Sequence, residues 1–155
     1  MTGNATAAAV LRAAILNPLA GWRHEMVLMP EWGGVTVAVR EPLLEDRAFW
    51  LEPLRLAAGV EPGDDEDTAR AKYAGLGADV HKAAYARLFV RVLFVDTPDG
   101  WQRQFEDDGV NAVARAFSAT HERVINKALE LARIDVDPDG DGKNPSAETP
   151  SSDSK

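Results

Sequence analysis

The sequence predicts an α+β fold, mainly helical, with four to five helices, an N-terminal β-hairpin and a possible second small hairpin. Three features of the 155-residue chain point there. Between Met26 and Arg40, two short apolar runs flank Pro30-Glu31-Trp32-Gly33-Gly34. In the second run Val35, Val37 and Val39 alternate with Thr36, Ala38 and Arg40, which is the period of a strand. From Leu43 onward apolar residues recur at spacings of three and four, the period of a helix. After Ile134 the apolar residues almost disappear.

The hairpin is expected at 24–29 and 35–40. Pro fixes φ at the turn, Gly tolerates positive φ, and Trp32 sits at the tip. A lone two-stranded hairpin is not stable in water, so helices must cover its Val face. Ahead of it, Thr6–Leu16 is Ala-rich and favours helix, and Asn17-Pro18 ends it. Residues 1–21 therefore read as a helical arm. Pro42 suits a helix start, and Leu44, Ala48, Leu51 and Leu54 or Arg55 form a stripe with Phe49 and Trp50 beside it. Pro53 is expected to end or kink that helix near Glu52. Residues 57–67 read as an acidic solvated loop, long enough to be mobile. The next signal divides at Gly75 and Gly77 into helices at 67–74 and 78–95. Thr97-Pro98-Asp99-Gly100 is a turn, and Phe94-Val95 can pair with 101–105. Helices follow at 106–117 and 118–133, the second with Ser118 as N-cap. Residues 1–134 are thus read as one domain.

Residues 135–155 hold six acids and two lysines among Pro, Gly and Ser. Such a composition buries too little apolar surface to offset ordering entropy, so a disordered acidic tail is expected.

Composition narrows the function. A net charge of −8 and a pI near 4.8 argue against nucleic acid as a direct partner. With no cysteine there is no thiol nucleophile and no Cys-type zinc site. No segment approaches the roughly 20 apolar residues of a membrane span, and the N-terminus lacks a signal-peptide pattern. A cytoplasmic location is expected.

The motifs that could carry chemistry are few. Asp137, Asp139, Asp141, Gly142 and Glu148 satisfy the spacing of an EF-hand loop, so a calcium-binding module is one alternative. Against it, Asn144 and Pro145 occupy positions eight and nine, and no helix signal follows. His24, His81 and His121 lack the spacing of a zinc helix and read as surface or boundary residues. Gly75-Leu-Gly77 lacks the third glycine and the preceding strand of a dinucleotide loop. No nucleophile motif is present. The chain reads as a non-enzyme with no cofactor, although a small enzyme with an unrecognised carboxylate site is a second alternative. Trp50 and Trp101 are expected in the core. Trp32 is either folded back on the hairpin or presented to a partner protein.

The hairpin also carries a family resemblance. Val27, Pro30, Glu31, Trp32, Gly33, Gly34, Val37, Val39 and Arg40, followed by helices in this order, resemble the tail assembly chaperones of long-tailed phages of the lambda type. The resemblance covers about 22–133; the Ala-rich arm, the 57–67 loop and the tail depart from it. It implies a protein that binds and solubilises the tape measure protein during tail morphogenesis in the host cytoplasm and is not retained in the virion. It further implies a longer frameshifted product that recruits the tail tube protein; Gly142-Lys143 is compatible with a slippery codon pair. A homo-oligomer is a possible form.

Overall fold

In a computed structural model that describes residues 2–136, with side chains described from Thr6 to Arg133, there are six α-helices and a four-stranded antiparallel sheet. The expectations about 137–155, including the Asp137–Glu148 loop, lie outside the described residues. In chain order the elements are α1 (Thr2–Leu16), β1 (His24–Met29), β2 (Val35–Arg40), α2 (Leu44–Ala58), α3 (Glu66–Ala74), α4 (Ala78–Val92), β3 (Leu93–Thr97), β4 (Gly100–Arg103), α5 (Val110–Ala116) and α6 (Ala119–Val136).

The hairpin forms where the alternation places it, with Val27 opposite Val37 and Glu25 opposite Val39. Pro30–Trp32 makes one 3-10 turn, and Gly33 and Gly34 take φ of 80° and 76°. Any residue with a Cβ is strained there, so the glycine pair is a backbone requirement. The second hairpin also forms, with Phe94 opposite Arg103 and Asp96 opposite Trp101. The two hairpins join edge to edge: Ala38 pairs with Phe94 and Val39 with Leu93, giving the order β1-β2-β3-β4.

Residues that face each other across a sheet share a side. Val27, Val37, Val39 and Leu93 therefore lie on one side, beneath α4 and α6. They pack with Leu88, Phe89, Val92, Val124, Ile125 and Ala128 to make the main core. Ala38 and Phe94 lie on the other side, where Leu19 and Trp101 cover them. β2 is consequently covered on both sides from Val37 to Arg40, while Val35 and Thr36 stay exposed.

Several sequence expectations are corrected. α2 does not end near Glu52 but continues as helix through Pro53 to Ala58. A proline removes the N–H that would bond the carbonyl four residues back, here Phe49. That carbonyl accepts instead from Arg87 Nη1 on α4 at 2.8 Å, so the gap is filled across the helix pair. α2 is also rotated from the expected stripe: Asp46 and Leu54 are buried with Phe49 and Trp50 against the core, whereas Leu44 is 85 % exposed and Ala48 and Leu51 also face outward. Pro42 precedes the helix rather than opening it, and Asp46 accepts the N–H of the N-cap Leu43 at 2.9 Å.

The acidic loop is shorter than expected, residues 59–65, and it is tied down. Lys72 Nζ reaches Asp64 Oδ2 at 2.7 Å and the Gly59 carbonyl at 3.0 Å, while Asp65 caps α3 by accepting from the Thr68 N–H at 2.7 Å. The break between α3 and α4 falls at Gly75–Gly77 as expected. α4 ends at Val92 rather than 95, because Leu93 and Phe94 are taken into the sheet. Residues 107–109 form a 3-10 turn ahead of a short α5.

Candidate interaction surface

Of the nine residues that carry the family resemblance, Val37, Val39 and Arg40 are buried and Val27 and Trp32 half-buried, while Pro30, Glu31, Gly33 and Gly34 are exposed at the turn. Glu31, in the turn between β1 and β2, receives both terminal nitrogens of Arg123 on α6, at 2.7 Å and 2.9 Å. Those hydrogen bonds hold its carboxyl at a pKa of about 2. The Trp32 ring lies edge-on to Phe89 of α4 (centroids 6.0 Å apart) and to His121 of α6 (5.3 Å). It is half-buried, folded back against the core. A partner contact through Trp32 must therefore use the part of the ring left accessible.

His121, expected at the surface or boundary, joins a run of rings. It stacks on Phe117 at 5.2 Å and touches Phe89 at 4.9 Å, and Phe117 stacks in turn on Tyr85 and Tyr85 on Trp50. Its Nδ1 accepts the Ser118 N–H at 3.1 Å, and Ser118 Oγ accepts from the Thr120 N–H at 3.3 Å. Ser118 thus caps α6, with His121 in the return role usually filled by Glu or Gln. Burial among the rings lowers the His121 pKa from its ordinary value. Trp50 packs on the main core and Trp101 on the smaller cluster, both half-buried, while Trp22 is exposed.

Arg40, the last residue of the motif, is 7 % exposed and organises a charge network that the sequence does not announce. Its Nη2 donates to Asp46 Oδ2 at 3.0 Å and its Nη1 to the Pro18 carbonyl at 3.2 Å. Its planar group lies 4.7 Å from the centre of the Phe94 ring. Asp46, 2 % exposed, offers its other oxygen to Arg91 Nη1 at 3.0 Å. Arg91 grips Asp107 with two parallel bonds of 2.8 Å and 2.9 Å, and Arg103 reaches the same carboxylate at 2.7 Å. Arg91 is chiefly responsible for holding the Asp107 carboxyl at a pKa of about 2, with Arg103 assisting against partial burial. Burial lowers the Arg40 pKa, and Asp46 opposes that shift. Arg40 Nε is left without a hydrogen-bond partner among the described residues.

Arg40, Asp46, Arg91 and Arg103 of this network line a cleft of about 560 Å³ together with Phe94 and Trp101. Its three guanidinium groups are already bound to carboxylates and carbonyls, so the cleft joins β2, α2, α4 and β4 and offers no unpaired guanidinium, while Glu45, Asp99 and Glu106 add carboxylates to its lining. No group of acids, His or Cys among the described residues is arranged to hold a metal. The surface available for contact is apolar instead. Leu44, Ala48 and Leu51 run along the solvent side of α2, Met26 and Leu28 are exposed on β1, and Val10, Leu11, Ile15 and Leu16 are exposed on α1.

A family model described as phage tail assembly chaperone matches residues 10–146. The chain belongs to the phage tail assembly chaperone family. The match takes in the second half of α1, the 59–65 loop and part of the segment after α6, regions that departed from the resemblance seen in sequence. A solved structure entitled bacteriophage HK97 tail assembly chaperone is similar to this chaperone, with 29 % identity and a TM-score of 0.54 over 79 % of this chain and 97 % of that one. No curated protein sequence matches. The family's role is assistance in assembly and is non-enzymatic. No described helix of the chaperone is long and apolar enough to cross a membrane.

Proposed function

We propose that this chaperone binds the tape measure protein in the host cytoplasm, keeps it soluble while the tail tube forms around it, and leaves before the virion is complete. The family match over residues 10–146 carries the reading. A tape measure chain is long and helical, with apolar stripes that self-associate when uncovered, and a chaperone must cover them. The exposed stripe Leu44–Ala48–Leu51 on α2 suits a helix-on-helix contact, and a net charge of −8 opposes aggregation of the loaded complex. The chaperone acts by binding and not by catalysis. A longer frameshifted product would add a domain that recruits the tail tube protein.

Co-expression with the cognate tape measure protein tests this reading. The soluble fraction of the tape measure protein is expected to rise, and the two proteins are expected to co-purify even in about 0.5 M salt, because apolar burial is not screened. Leu44→Asp with Leu51→Asp should reduce capture without unfolding, since both side chains face solvent. Trp32→Ala also reduces capture if the accessible part of the ring contributes, but it must be paired with a melting curve because the ring packs on Phe89. Absence of co-purification at every salt concentration removes the tape measure reading.

A further inference from the structure

We propose that His121 is a proton-operated latch between the first hairpin and α6: the neutral ring caps α6 and seats Trp32, and the protonated ring releases both. Three other elements meet at this ring. Trp32 comes from the turn between β1 and β2, Phe89 from α4, and Phe117 from the end of α5, with ring centres 5.3, 4.9 and 5.2 Å from that of His121. The same side chain therefore serves the core and the helix cap at once.

The cap fixes the protonation state. His121 Nδ1 accepts the Ser118 N–H at 3.1 Å, and an accepting ring nitrogen carries no proton. The neutral ring thus holds its proton on Nε2. Ser118 Oγ lies 3.1 Å from the same Nδ1 and accepts the Thr120 N–H. Protonation turns Nδ1 into a donor. The Ser118 hydroxyl can accept from it, but the Ser118 N–H and the new N–H then point at each other. The box that starts α6 opens.

No neighbouring charge compensates. Glu31, beside Trp32 on the turn, is bound through both oxygens by Arg123 of α6. On α4, Arg87 is bound to Glu52, and Arg91 to Asp46 and Asp107. Asp79, His81 and Lys82 of α4 lie two turns or more before Phe89. Arg115 on α5 and Glu122 on α6 are exposed. A protonated imidazole keeps some attraction to the rings, yet it gains no carboxylate there. Burial accordingly holds the His121 pKa below its ordinary 6.5. The stability that the neutral ring contributes is complete above 6.5 and is lost as pH falls through the folded-state value.

The outer ion pair survives that step. Glu31 has a pKa of about 2, so Arg123 still tethers the turn when Trp32 is released. The state reached in mild acid is an opened joint and not an unfolded chain. This follows from the geometry of the chaperone alone and is independent of tape measure binding.

NMR of the full chain from about pH 8 to about pH 4 is the test. The His121 ring is expected as the Nε2–H tautomer at neutral pH, with a titration midpoint below 6.5. The Trp32 indole signal, identified by its loss in Trp32→Phe, should shift with the same midpoint. Far-UV circular dichroism should change little through that step. His121→Gln keeps an acceptor at the same capping position but does not titrate, and it should abolish the Trp32 shift. A proton on Nδ1, a midpoint at or above 6.5, or a Trp32 signal that ignores the His121 step each overturns the proposal. So does a Trp32 shift that survives His121→Gln, or helix lost in step with His121. If His121→Gln does not fold, the agreement or disagreement of the His121 and Trp32 midpoints in the wild-type chain decides the matter.

Discussion

Asp46→Ala is expected to cost about 3–5 kcal/mol, because it strands Arg40 in a site that is 7 % exposed. Asp46 links two arginines, from β2 and α4, and caps the start of α2. Its loss leaves a buried cation without its carboxylate, and the cation–ring contact with Phe94 cannot replace it. Against a total stability of roughly 5–15 kcal/mol, the urea midpoint should fall by about 2 M. Arg70→Ala is the control. Its pairs with Glu66 and Asp67 are exposed, and its removal should change stability by less than about 1 kcal/mol. Replacing Arg40 and Asp46 together by Met and Leu should recover much of the loss, since a buried pair is often matched by apolar residues of similar size. An Asp46→Ala protein within about 1 kcal/mol of wild type would show that the network is dispensable.

The same network sets an acid limit. The Asp107 carboxyl is held at about 2, below its ordinary 3.8. A carboxylate with a depressed folded-state pKa contributes stability that is complete above its unfolded value. That contribution fades as pH falls from near 4 toward 2. Asp107→Asn should flatten this part of the stability profile.

Val37→Asp is the second large effect. Val37 is 6 % exposed inside the main core, and an unpaired carboxylate there costs several kcal/mol, enough to unfold the body. Thr36→Asp, one residue away, faces the open side of the sheet and should change stability by less than about 1 kcal/mol. Equal urea midpoints for the two variants would mean that the outer face is covered at Thr36 as well.

The sequence by itself determined the elements whose cause is local. The alternation at Val35–Arg40 and the Gly33-Gly34 pair specify the first hairpin to the residue, since period two and positive φ are properties of neighbouring positions. Gly75 and Gly77 mark the break between α3 and α4 for the same reason, and the nine-residue hairpin pattern pointed to the family. Tertiary structure alone decided what depends on distant partners. The run of α2 through Pro53 depends on Arg87 reaching the Phe49 carbonyl from a residue 38 positions away. The end of α4 at Val92 depends on β2 claiming Leu93 and Phe94. The side of α2 that faces inward follows Asp46, which must meet Arg40 and Arg91, so Leu44 and Leu51 stay in solvent despite their helical spacing. Glu31, Trp32 and Arg40 read in sequence as a turn, a possible contact and a strand end. Arg123, His121 and Asp46, remote along the chain or on another element, make them clamps between the hairpin and the helices. Periodicity records which residues can share a face, but a face is buried only by what another part of the chain brings to it.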